Sequence, residues 1–192
     1  MSPFTDRFPS ITNMIRLDHA HVMSTFRQYR ADTDPLVKRG LVGTVCVALE
    51  IHAQLEEEIF YPAMRALETS AVLAKSVPEH DTMRTLIANL RDLAPTDDGY
   101  DAAFMALMRD VLHHVADEEA VLLPDAERLL GDRLGALGAA MTRRRVELVV
   151  PRSGRIVADL VRSTPAATML MFAGTALSGA FPATPHPRRP TR

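Results

Sequence analysis

Cysteine is almost absent from this chain, and lysine is nearly as scarce. The single thiol, Cys46, excludes an intrachain disulfide and fits a reducing compartment. It also leaves no thiolate set, which argues against soft-metal sites and iron–sulfur clusters. Lys38 and Lys75 are the only lysines, and with a formal net charge of −2 no nucleic-acid partner is expected. Met1–Pro9 lacks the basic-then-apolar pattern of a secretion signal, so a cytoplasmic location is expected. No stretch sustains a period-2 alternation, and strands are not expected. A membrane-length apolar run is missing too. Within the uncharged tract Ser163–Pro185, the apolar centre Ala166–Phe181 has 16 residues. As a helix that is about 24 Å, short of the roughly 30 Å hydrocarbon core. What is present is ordinary for a globular chain: 192 residues, 47% hydrophobic and 24% charged.

Turn-forming segments divide residues 1–130 into four helical runs. The first, Ser10–Ala31, closes at Asp32-Thr33-Asp34-Pro35. The second is Leu36–Leu67, interrupted or kinked near Pro62. The third is expected to begin at Ser76, where Ser76-Val77-Pro78-Glu79 reads as a capping box, and to end at Leu93. After the loop Ala94–Gly99, the fourth run is Tyr100–Leu130.

Two of these runs carry the same signature. His52-Ala53-Gln54-Leu55-Glu56-Glu57 is followed by Pro62, and His114-Val115-Ala116-Asp117-Glu118-Glu119 by Pro124, each proline ten residues after its histidine. A His and a Glu four apart on a helix lie about 40° apart around the axis, one turn up, and can aim at one point. The partner helices repeat as well: Asp18-His19 and Glu79-His80 are 61 residues apart, while His52 and His114 are 62 apart. Apolar spacing sets the phase. Phe104, Leu107, Val111, Val115 and Leu122 put His114 and Glu118 on the core stripe, and His113 on the polar side. Ile15, Val22 and Phe26 turn His19 inward, and Met83, Ile87 and Leu90 turn His80 inward. His21, His113 and His186 read as surface residues, Cys46 and Met23 as packing.

Buried imidazoles and carboxylates must be paired or coordinated to offset their desolvation. His19, His52, Glu56, His80, His114 and Glu118 meeting inside a helix bundle satisfy that by holding cations. The nitrogen–oxygen mixture suits iron, manganese or zinc. Two metals bridged by Glu56 and Glu118, each with two histidines and a shared oxo or hydroxo group, would keep one position open apiece. Glu57 and Glu119, beside the ligand positions, and Asp18 and Glu79, directly before the inward histidines, are candidates to orient the imidazoles. Tyr61, just past Glu56, stands close enough in the chain to approach the site.

The combination Asp18-His19, His52-x3-Glu56-Glu57, Glu79-His80 and His114-x3-Glu118-Glu119, with prolines at 62 and 124, resembles the hemerythrin-like HHE cation-binding domain. The resemblance covers about residues 10–130. It implies an all-α fold, an up-down-up-down four-helix bundle, around a non-haem di-iron centre ligated by the six residues named above. Oxygen-carrying hemerythrins place a second histidine four residues away on the third helix, where this chain has Ser76 and Arg84. They also use His-x4-Asp on the fourth helix, where this chain has His-x3-Glu. Arg84 would add positive charge near an anionic ligand. The fewer histidines imply two open metals, and reaction with H2O2, NO or O2, catalase- or peroxidase-like, is favoured over simple carriage. The alternatives are an oxygen or iron sensor and an iron storage or delivery protein.

Residues 131–192 lie outside the resemblance. Leu134, Leu137 and Met141 predict a helix to Leu148, broken at Pro151-Arg152-Ser153-Gly154. Additional short C-terminal helices are expected over Arg155–Arg162 and Ala166–Gly179, so the extension runs 131–181, with a mobile tail over 182–192. Its expected role is a cover over the bundle's open end, or a homodimer contact.

Overall fold

A computed structural model describes residues 9–164. The expected helix 166–179, most of the apolar tract, His186 and the 182–192 tail lie outside the described residues. Among the described residues there is no strand, and no helix is long and apolar enough to cross a membrane.

The elements are α1 (Ile11–Phe26), α2 (Pro35–Leu55), α3 (Tyr61–Arg65), α4 (Ala71–Asp92), α5 (Tyr100–Asp117), α6 (Leu123–Leu130), α7 (Arg133–Val149) and α8 (Ser153–Ser163). Short connections make neighbours antiparallel and give a bundle of α1, α2–α3, α4 and α5–α6. The starts are chemically marked. Ser10 accepts from the Asn13 N–H at 3.2 Å, and Asp34 accepts from Leu36 at 2.8 Å with Pro35 as first helical residue. Gly131, at φ +46°, ends α6 in a conformation few other residues adopt.

Two boundaries differ from expectation. The first helix ends at Phe26, not Ala31. The third bundle helix begins at Ala71, not Ser76, because Ser70 caps it by accepting from the Leu73 N–H at 3.1 Å. Ser76 instead donates its hydroxyl to the Val72 carbonyl at 2.9 Å, and Pro78 lies inside the helix. Burial of Leu73 at 2% exposure favours the longer helix.

The second and fourth runs are each interrupted by a π-helical turn, at Glu56–Phe60 and Glu118–Leu122. Pro62 and Pro124 are the second residues of α3 and α6 that follow. A proline ring clashes with the carbonyl four residues back in a regular α-helix, and a π turn relieves that clash. The expected kink near Pro62 is therefore a widened turn, found in both halves.

Apolar packing forms two layers. One holds Ile11, Ile15, Leu55, Phe60, Leu122 and Met141; the other holds Val22, Val45, Leu49, Met83, Phe104 and Val111. The described part of the C-terminal extension lies along the α1–α2 hairpin, α7 against α1 and α2, and α8 against α2. The α2–α8 approach is close enough that a Cβ on Gly40 would stand 2.4 Å from the Ser163 backbone nitrogen.

Candidate metal centre

Between the two apolar layers sits a polar one. His19 is flanked on α1 by buried Ile15 and Val22, and His114 on α5 by buried Val111 and, a turn on, Glu118. All six sequence-predicted donors are buried: Glu56 and Glu118 at 0%, His80 at 1%, His114 at 2%, His19 and His52 at 5%. His21 and His113 are exposed.

The six come together as two overlapping sets. One ligand atom from each of His19, His52, Glu56 and Glu118 lies within 4.8 Å of the others, and Glu56, His80 and His114 form a second such set. Glu56 Oε2 is 3.2 Å from His52 Nε2 and 3.4 Å from His80 Nε2. Glu118 Oε2 is 3.4 Å from His19 Nε2 and 3.5 Å from His114 Nε2. Each carboxylate thus spans one histidine of either half.

Every imidazole turns its other nitrogen to an acid. His19 Nδ1 meets Glu119 at 2.9 Å, His52 Nδ1 meets Asp18 at 3.4 Å, His80 Nδ1 meets Glu57 at 2.9 Å and His114 Nδ1 meets Glu79 at 2.8 Å. A carboxylate only accepts, so each Nδ1 carries the proton and each Nε2 lone pair points inward in the neutral ring. Behind the acids stands a layer of cations. Arg145 donates to Asp18 through both terminal nitrogens at 2.5 and 2.6 Å. Arg16 donates to Glu119 at 3.3 Å, Arg84 to Glu57 at 2.7 Å, and Lys75 approaches Glu79 at 3.2 Å. Arg84 is therefore held by Glu57, although it also borders the cavity described below.

The inward atoms fit a cation. His19 Nε2, His52 Nε2, Glu56 Oε1 and Glu118 Oε2 are buried without a hydrogen-bond partner, which is costly in a closed core. His80 Nε2 and His114 Nε2 stand 3.2 Å apart, lone pair towards lone pair unless a proton or a metal lies between them. Charge agrees for two of the rings and, without a metal, not for His19. Burial pushes His52 down to about 4, and lowers His80 too, so both are neutral near pH 7. For His19 burial works against the charge, but Glu118, Glu56 and Glu119 more than offset it and hold the ring at about 9. Burial and the Glu118 charge raise Glu56 well above the carboxylate range. Burial also opposes the Glu118 charge, but the His19 ring 3.4 Å away and the other imidazoles hold that acid at about 2. Asp18 is likewise held at about 2, burial being outweighed by His52 and Arg145.

Tyr61 reaches the centre. Its hydroxyl lies 2.9 Å from Glu56 and 2.9 Å from Glu118, and 3.3 Å from His80 Nε2. One hydroxyl proton cannot serve both acids at once, and the Tyr61 hydroxyl is placed to donate to either Glu56 or Glu118. Burial and the two acids raise the phenol itself. The π turn places it there: the Tyr61 N–H donates to the Glu56 carbonyl five residues back, which returns Tyr61 to the side of the helix that carries Glu56. In the other half the equivalent π turn presents Leu123, 62 residues on, so the centre has one phenol. Of the residues that touch the site, sequence reading missed Arg16 and Arg145, whose contacts cross between helices and leave no local pattern, and Lys75, which lies one turn before Glu79 on the same helix.

The four imidazoles also line a cavity of about 20 Å³. Its remaining wall is chiefly apolar, from Val22, Leu49, Met83, Ile87, Val111 and Val115. A water needs about 10–15 Å³ by this measure, so the space suits a ligand of one or two heavy atoms.

Three likenesses to known proteins accompany this geometry. Residues 10–126 match the family described as the hemerythrin HHE cation binding domain. A protein named DNA nickase, from Nostoc sp., is 26% identical over 113 residues; the match takes 59% of this chain and 32% of that protein, so the chain spans about a third of its length. The crystal structure of a hemerythrin HHE cation binding domain-containing protein from Mycobacterium kansasii superimposes with a TM-score of 0.63 at 19% identity, over 81% of this chain and 99% of that one. That likeness shows a shared bundle fold.

Proposed function

Because the chain belongs to the hemerythrin HHE cation-binding domain family, we propose that its buried cluster holds two non-haem iron ions and reacts with H2O2, NO or O2. His19 and His52 would hold one metal, His80 and His114 the other, with Glu56 and Glu118 bridging them. The observation that carries this reading is the pair of donor sets sharing a carboxylate and opening on a cavity of about 20 Å³. Bound iron supplies one-electron redox chemistry and open coordination positions at a histidine-poor site.

The chain's own residues do the rest. Asp18, Glu57, Glu79 and Glu119 fix each ring and keep its Nδ1 protonated, so that Nε2 stays a donor to metal. Tyr61 holds a proton between the two bridging acids, 2.9 Å from each. The apolar wall excludes bulky and strongly hydrated ligands from the imidazole end of the cavity. Reaction with peroxide or NO is favoured over reversible carriage because Ser76 and Arg84 occupy the places where a further third-helix histidine would stand, and neither gives its side chain to the centre. Ser76 is bonded to the Val72 carbonyl and Arg84 to Glu57. About two thirds of the Nostoc relative, a protein named for nicking DNA, lies outside the match.

The test is to mix the iron-loaded protein with H2O2, and separately with NO, and follow ligand loss and absorbance together. Consumption of either ligand, abolished in His114→Ala, is the expected result. An iron-loaded protein inert to both contradicts the reactive reading.

A further inference from the structure

Three of the four outer cations stand on bundle helices: Arg16 on α1, Lys75 and Arg84 on α4. Arg145 stands on α7, beyond the residues that match the family. We infer that Arg145 is a positioning residue for one half of the centre, acting through Asp18 on the ring of His52, so that the His19–His52 half depends on α7 and the His80–His114 half does not. The inference rests on the metal-binding reading above.

The geometry singles out this contact. Asp18 and Glu79 are equivalent in the repeat, but the aspartate is one methylene shorter, and its contact to the imidazole is 3.4 Å against 2.8 Å for Glu79. The His52 ring is thus the most loosely held of the four. Its acid is the one gripped by both terminal nitrogens of an arginine, at 2.5 and 2.6 Å. A guanidinium fork fixes the plane of a carboxylate as well as its place, which a lysine ammonium does not. The opposite half shows the contrast: Lys75 is a single point charge shared between Glu79 and Asp117. Asp18 is 17% exposed and Arg145 30%, so the pair is partly shielded from solvent.

Docking of α7 does not need this contact. Met141 and Leu148 pack into the core layer that holds Ile11 and Leu55. Arg144, next in the chain, donates to Glu58 at 2.6 and 3.0 Å, on the exposed side and away from the centre. Gly138 lets α7 lie against the N-terminal segment, where a Cβ would be 2.1 Å from the Pro9 carbonyl oxygen. Loss of the Arg145 guanidinium should leave the helix seated while Asp18 is freed.

The experiment compares full-length wild type, Arg145→Ala, Arg145→Lys, Asp18→Asn, the Arg145→Ala/Asp18→Asn double variant and Arg144→Ala. Each is loaded with iron, checked for helicity by circular dichroism, and assayed for iron per chain and for iron release to a ferrous chelator under reductant. Wild type should hold two irons and release them slowly. Arg145→Ala should release one of the two about 10–100-fold faster, the range that loss of such an outer contact produces, and leave the other unchanged. Asp18→Asn should do the same, the double variant should add nothing further, and lysine should restore part of the retention. Arg144→Ala should behave as wild type. Release from Arg145→Ala at the wild-type rate overturns the inference, as does equal acceleration of both irons or the same effect from Arg144→Ala. If Arg145→Ala fails to fold, Arg145→Lys and Asp18→Asn decide between the same outcomes. Wild type without bound metal overturns the metal-binding reading instead, and this inference with it.

Discussion

His113 and His114 are neighbours in the chain, yet one is exposed and the other is 2% exposed in the bundle core. His114→Ala should therefore lose bound metal while His113→Ala keeps it, by metal analysis of the two purified proteins; equal losses would mean the helix is in another phase. Tyr61 is the second residue with a sharp consequence. Tyr61→Phe keeps the ring and removes the hydroxyl that stands between Glu56 and Glu118. Metal-stripped Tyr61→Phe should be less stable by about 1–3 kcal/mol in urea, the cost of leaving buried acids without a partner. Cys46 is 2% exposed, and burial pushes its thiol up to about 12. A thiol reagent at pH 8 should label it only after unfolding. At this scale the inward histidines were legible because apolar spacing fixes their phase. Tyr61 could be named only as a neighbour of Glu56 in the chain, since in an unbroken α-helix it would face away from that residue. Arg16 and Arg145 were not legible, because long surface side chains are placed by tertiary contacts, whereas the four-residue spacing of Lys75 and Glu79 was a local signal left unread.

The π turns are the elements on which the site depends. Each begins at a buried glutamate, Glu56 or Glu118, and each is followed by a proline as second residue of the next helix. The duplicated His-x9-Pro spacing was visible in the sequence, but an interruption or kink was expected near Pro62 alone and the fourth run was read as unbroken. Periodicity cannot separate a kink from a five-residue turn, because both merely interrupt the apolar stripe. The start of α4 was misplaced for a related reason: Ser76-Val77-Pro78-Glu79 has the residues of a capping box, but Ser70 offers a cap that also buries Leu73. Small residues govern the outer layer. Gly40→Ala would set a methyl 2.4 Å from the Ser163 backbone nitrogen and 2.7 Å from the Asp159 carbonyl. Backbone cannot yield as a flexible side chain does, so α8 should loosen from α2, at a cost of about 1–3 kcal/mol. Faster proteolysis within 150–164, with metal content unchanged, is the expected outcome.

Across the whole molecule, two apolar layers surround a core of four histidines and two glutamates, in which His19 Nε2, His52 Nε2, Glu56 Oε1 and Glu118 Oε2 lack partners. A fold built this way gains stability from what it binds. Metal at a hundredfold over its dissociation constant adds about 2.7 kcal/mol, so stripping with a chelator should lower the midpoint of thermal unfolding by about 5–10 °C. Re-addition of ferrous ion should restore it, and a chelator-insensitive midpoint would mean the cluster is satisfied without metal. The bundle and its centre were legible because the repeat places each acid–histidine pair opposite a His-x3-Glu. The course of residues 131–164 along α1 and α2 was not, because its apolar positions name no partner. The proposed pair of irons, held by the two donor sets and open to small ligands, is tested most directly by metal analysis and an optical spectrum of the protein as isolated, followed by peroxide in the same cuvette. Two irons per chain, near-ultraviolet absorption from an oxygen-bridged pair, and a spectral change on adding peroxide are predicted; near-stoichiometric zinc, or no metal, would contradict it.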